Sequence, residues 1–99
     1  MQLENLKDKV LDQFYEAVLS LRSMEECYRF FNDLCTLNEV QLITQRLEIA
    51  KLLKEGLTYH KIETEVGTST ATISKVKRSI NQGNNSYDFI FDRIENKES

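Results

Sequence analysis

Proline is absent from this chain, and its 99 residues include only three glycines, two cysteines and one histidine. With 40% hydrophobic residues, that scarcity of turn formers suits short helices packed together better than a sheet. The length is enough for one domain, and a domain this small buries only a modest share of its surface. Long apolar runs are missing, so neither a transmembrane helix nor a membrane partner is expected. The opening Met1-Gln2-Leu3-Glu4-Asn5-Leu6 is amphipathic and charged, unlike a signal peptide, and the expected location is the cytoplasm. Cys27 and Cys35 stand on what reads as one helix, about 12 Å apart along its axis, too far for a disulfide. Neither has a Cys-x-x-Cys partner, and His60 is remote in sequence. Two reduced, packing thiols are expected, with no metal site and no cofactor.

An excess of basic charge is also lacking: 13 basic against 16 acidic side chains give a net charge of −3, which at first argues against nucleic acid. Its distribution matters more than its sum. Residues 1–40 carry four basic and eight acidic side chains, and residues 81–99 carry two and four. Residues 69–80 carry Lys75, Lys77 and Arg78 with no acid. An acidic chain can therefore hold one local phosphate-binding face.

What is present is helical periodicity. Leu3, Leu6, Val10, Phe14, Val18 and Leu21 recur at three- and four-residue steps and predict a first amphipathic helix. Ser23-Met24-Glu25-Glu26 has the capping-box form. It opens a second helix to about Leu34, with Cys27, Phe30, Phe31 and Leu34 as its stripe. Asn38-Glu39-Val40-Gln41 reads as a cap for a third, longer helix ending near Glu55, where Gly56 can stop it in the left-handed conformation. This third helix carries one stripe of Val40, Ile43, Leu47, Ala50 and Leu53 and a second of Leu42, Ile49 and Leu52. Apolar residues on several sides imply burial on several sides. The first two helices could cover one side and a second copy of the chain the other, so a homodimer is expected. The competing expectation is that one chain covers everything itself. Two short helices follow, Thr58 to about Val66 and Thr70 to about Asn81, then a polar loop over residues 82–86. Tyr87, Ile90, Phe91 and Ile94 predict a final helix of about ten residues, with a frayed tail from Asn96. The expected fold class is all-α, with six helices in one domain. Residues 1–56 are its dimerisation helices, 57–80 a helix-turn-helix, and 81–99 the C-terminal loop and helix.

The segment from Leu57 to Ile80 meets the demands of a helix-turn-helix. Gly67 supplies the positive φ of the turn. Ile62 and Val66 on one helix and Ile73 and Val76 on the next would hold the crossing. Thr58 can cap the first helix, and Ser69 or Thr68 the second. Glu63 sits four residues before Gly67, where a small residue is common, and is expected to point to solvent. On a helical wheel Ile73, Val76, Lys77 and Ile80 face inward. Ala71, Ser74, Lys75 and Arg78 face outward, with Thr72 and Ser79 at one flank. A face that is small and hydroxylic at its N-terminal end and basic further along suits entry into the major groove of double-stranded DNA. The candidate DNA contacts are His60, Ser69, Thr70, Ala71, Thr72, Ser74, Lys75 and Arg78. His60 reads equally well as a phosphate contact or an ordinary exposed histidine. The candidate dimer core is Phe14, Val18, Phe30, Phe31, Leu42, Ile49 and Leu52.

Residues 45–58, Ile62-Glu63-Thr64-Glu65-Val66-Gly67 and Ser69-Thr70-Ala71-Thr72-Ile73-Ser74-Lys75 resemble the Trp repressor family. The resemblance is closest to its YerC/YecD branch, which shares the Ala71-Thr72-Ile73-Ser74 run and a stretch like Asn81-Gln82-Gly83-Asn84. It implies a six-helix chain intertwined with its twin and two recognition helices in successive major grooves. It also implies an effector site at Gln45, Arg46 and Lys75. There the family holds the indole of tryptophan between two arginines, whose aligned positions here are Gln45 and Lys75. A glycine that leaves room for the indole aligns with Val76. Lysine and glutamine cannot stack on a ring as a guanidinium does, so tryptophan is not the expected corepressor, and another small molecule remains open. Glu63 aligns with a DNA-facing lysine and should weaken phosphate contact there.

The expected function is a sequence-specific regulator of transcription, a repressor that occupies an operator. The alternative is a protein-interaction adaptor that reuses the fold. An enzyme is not expected, because no acid–base pair, activated nucleophile or phosphate-cradling loop is present.

Overall fold

A computed structural model describes residues 8–98, so Leu3 and Leu6 of the expected first stripe lie outside the described residues. Six helices and no strand make up the described residues. They are α1 (Lys9–Leu19), α2 (Met24–Leu34), α3 (Leu37–Lys54), α4 (Tyr59–Ile62, widening into a π-type turn over Glu63–Gly67), α5 (Thr70–Gln82) and α6 (Ser86–Glu98). None is long and apolar enough to cross a membrane. The chain divides into two compact units, residues 1–37 and 38–99.

In the first unit, Asp8 caps α1 by accepting from the Leu11 amide at 2.7 Å. Leu21 falls beyond the end of that helix, which closes at Ser20. Ser23 starts α2 by accepting from the Glu26 amide at 3.1 Å. Glu26 reaches back to the Arg22 amide at 2.9 Å, one residue earlier than the capping box requires. Cys27 lies within α2, while Cys35 is the extended residue that ends it; both are free thiols and half-buried. No side chain of α1 or α2 is fully buried within the chain. Leu19 is 83% exposed and Leu37, which opens α3, is 75% exposed.

Among the described residues the buried core lies in the second unit: Ile49, Ala50 and Leu52 of α3, Ile62 of α4, and Ile73 and Val76 of α5. Leu53, Leu57, Tyr59, Val66, Ile80, Tyr87 and Phe91 pack around it. The third helix begins at Leu37, so Asn38 is already inside it and is not its cap. Its C-terminus does end as the sequence predicts. Gly56 has φ +89, its amide donates to the Leu53 carbonyl, and the Leu57 amide donates to the Leu52 carbonyl, both at 3.1 Å. This is a Schellman closure, and it turns the chain back so that α4 and α5 pack on the last turns of α3.

That reversal corrects the expected division of the apolar surface on α3. The split runs along the helix, not only around it. Ile49 (0% exposed) and Leu52 (7%), both expected in the dimer core, fill the core of their own chain. Toward the N-terminal end, Leu42 (53%) and Ile43 (59%) remain exposed within the chain. The last helix is longer than predicted, continuing to Glu98 through the tail expected to fray. Lys54 of α3 forms an ion pair with Asp88 of α6, and Tyr87 stacks on Phe91 with ring centroids 6.3 Å apart.

Candidate nucleic-acid interface

Local chemistry sets out the helix-turn-helix residue by residue. Thr58 opens α4, its hydroxyl accepting from the Lys61 amide at 3.2 Å. Beyond Ile62 the helix widens by one residue per turn, and the Thr64 hydroxyl donates to the His60 carbonyl at 3.0 Å. Such widened turns are rare and concentrate at functional sites. Gly67 ends the turn at φ +73, a conformation that costs an L side chain strain. Thr68 is extended, and Ser69 caps α5 by accepting from the Thr72 amide at 3.2 Å. Of the two caps the sequence allows, Ser69 is the one used. Ile62, Ile73 and Val76 are fully buried and Val66 is half-buried, so the crossing of α4 and α5 rests on the four side chains the spacing singles out.

The outer surface of α5 follows from that burial. Ser69, Thr70 and Ala71 are exposed at its start, with no side chain larger than threonine among them. Lys75 and Arg78 are exposed further along, four and seven residues after Ala71 and on its face. Thr72 and Ser74 are half-buried. The Ser69 and Thr72 hydroxyls lie 3.1 Å apart, bonded to each other. His60 is exposed on α4. The eight expected contact residues thus occupy α4 and the first two-thirds of α5, but Thr72 and Ser74 are less accessible than the wheel suggested.

Three residues depart from the sequence reading. Lys77, expected on the inner face, is exposed, as is Lys61 of α4, which the spacing did not single out. Lys77 lies 40° from Ile73 on a wheel of 100° per residue, and only the reach of the neighbouring helices decides whether that flank is covered. Glu63 does not point freely to solvent. It is half-buried, and its Oε1 accepts from the Thr70 hydroxyl at 2.8 Å, bridging the turn between α4 and α5. The one sequence signal for this pair is the acid itself, standing where the motif prefers a small residue.

Of the three candidate effector residues, Gln45 lines a groove that the other two do not. Gln45 is half-buried and lines an open groove of about 570 Å³ with Gln41, Thr44, Glu48 and Val66. Arg46 and Lys75 are exposed and do not line it. The groove offers amides, a hydroxyl and a carboxylate with no guanidinium, and so lacks the flat cation that stacks on an aromatic ring.

Comparison with known proteins agrees with this geometry. Residues 9–95 match the family described as Trp repressor protein. The chain is 58% identical to the uncharacterized protein YerC of Bacillus subtilis (strain 168), over 100% of this chain and 95% of that one. Among solved structures it is similar to a Staphylococcus aureus protein named as a candidate Trp repressor. That match has 54% identity and a TM-score of 0.92, covering 96% of this chain and 95% of the other. It is also similar to a TrpR-like protein from Eubacterium eligens ATCC 27750, at 47% identity and TM-score 0.90, covering 93% and 95%.

Proposed function

Since the chain belongs to the Trp repressor family, we propose that it is a dimeric, sequence-specific DNA-binding regulator that represses transcription by occupying an operator. The observation that carries this reading is the surface of α5. Small exposed side chains at Ser69, Thr70 and Ala71 let the helix approach base edges by its N-terminus, and Lys75, Lys77 and Arg78 follow where phosphates would lie. Ser69 through Ile80 carries no acid, so the cations act there without a neutralising partner on their own helix.

Pairing of two copies is supported by the apolar surface a single chain leaves open. Phe14 of α1 and Leu42 and Ile43 of α3 are exposed in the chain alone. So is a groove of about 560 Å³ between α3 and α6, floored by Leu47, Phe91 and Ile94. Monomeric proteins seldom leave so much large apolar surface to water. A second copy, intertwined with the first, would cover it and present two α5 helices to half-sites about 34 Å apart. Tryptophan is not the effector in this reading, because the groove at Gln45 holds no arginine.

The test is titration of genomic fragments at graded salt. Tight binding to a near-palindromic site is expected, weakening linearly in log–log form by roughly 0.9 per phosphate contact. Lys75→Glu with Arg78→Glu should abolish binding while the helical content is kept. Weak, sequence-blind binding at low salt would sink the proposal, and capture of a protein partner unaffected by the charge reversal would favour the adaptor.

A further inference from the structure

We propose that Glu63, held against Thr70, is a specificity-determining residue that reads the exocyclic amine of a cytosine in the major groove. The inference rests on α5 being the helix that enters that groove. It starts from the polarity of one hydrogen bond. The Thr70 hydroxyl has a single proton, and that proton is donated to Glu63 Oε1 at 2.8 Å. A carboxylate has none to give. The pair therefore offers only acceptors at the corner where α4 meets α5: the remaining lone pairs of Thr70 Oγ1 and the second carboxylate oxygen, Oε2.

That corner belongs to the approach surface. Thr70 is the first residue of α5 and is exposed, between the exposed Ser69 and Ala71. Glu63 is half-buried, and its bond to Thr70 holds it in one place across the turn. Of the two neighbouring hydroxyls, Ser69 and Thr72, one spends its proton on the other, so a single hydroxyl donor remains beside the acceptors. A fixed cluster of acceptors repels phosphate oxygens and the acceptor atoms of guanine and thymine, and it pairs with an amino group. In the major groove only cytosine N4 and adenine N6 provide one. Adenine N7, an acceptor, lies beside N6 and would face the carboxylate, whereas cytosine presents no acceptor there. The charge and the bond polarity together select cytosine.

The experiment is selection from a randomised duplex pool by the full-length protein, in parallel with Glu63→Gln and Thr70→Val. The wild type is expected to enrich sites in which one position per half-site favours cytosine by about tenfold. Glu63→Gln adds an amide donor beside the acceptor and should move that single position toward adenine. Thr70→Val frees the carboxylate and should weaken the same preference, leaving the other positions intact. Thr70 is exposed, so this variant decides the matter even if Glu63→Gln fails to fold. The inference is overturned if the variants select the wild-type site with only a uniform change in affinity, or if no cytosine preference responds to them. Absence of any enriched sequence with the wild type would overturn the DNA-binding reading itself, and this inference with it.

Discussion

Ile73 is fully buried in a cluster with Ile49, Ile62 and Val76. Ile73→Ala should cost about 2–5 kcal/mol, the range for emptying such a site, and should be read as a lowered urea midpoint. Against this, Glu63→Lys changes charge at a half-buried surface position. It should leave the midpoint within about 1 kcal/mol while steepening the salt dependence of DNA binding by about one phosphate contact per chain. Inward residues such as Ile62, Ile73 and Val76 were legible because a 3.6-residue period marks a buried stripe wherever the helix packs. Lys77 and Glu63 were not. One depended on how far the neighbouring helices extend, and the other on a bond to Thr70 seven residues away, across the turn.

Among the elements, α5 is bounded by two residues whose substitution should act differently. At its C-terminal end, a Cβ on Gly83 would meet the Ser79 carbonyl oxygen at 2.4 Å, a backbone atom that cannot swing aside. Gly83→Ala should therefore destabilise by roughly 1–3 kcal/mol, the cost of overpacking, with thermal melting as the measure. At the N-terminal end Ser69 both caps the helix and holds Thr72. Ser69→Ala should cost about 1 kcal/mol of stability and weaken DNA binding further than that loss alone explains. The ends of α2 and α3 followed from Ser23 and Gly56, residues whose preference is local. The widened turn over Glu63–Gly67 gave no such sign. Its side chains fit an ordinary helical turn equally well.

For the whole molecule, the distribution of burial is the deciding property. Among the described residues every fully buried side chain lies in the second unit, and α1 and α2 have none. A chain stabilised by pairing melts at a temperature that rises with its concentration. That dependence is expected here across a hundredfold dilution series. Leu42→Glu places a charge on the exposed apolar part of α3. It should yield a monomer by sedimentation and weaken operator binding, because one half-site then acts alone. A concentration-independent melting point with a monomeric wild type would refute the pairing.

The fold class, the six helices, the glycine turns at Gly56 and Gly67 and the outward small-then-basic face of α5 were determined by the sequence alone. Each depends on residues close together in the chain, whose spacing or backbone preference acts locally. The tertiary structure decided which apolar residues a single chain can cover for itself. Leu42 and Ile49 stand seven residues apart on one helix and belong to the same stripe, yet only Ile49 is buried by its own chain. The reversal at Gly56 brings α4 and α5 back over the last turns of α3 and no further. The same reversal sets Thr70 against Glu63, because a hydrogen bond across a turn requires the two helices to have closed at one particular angle.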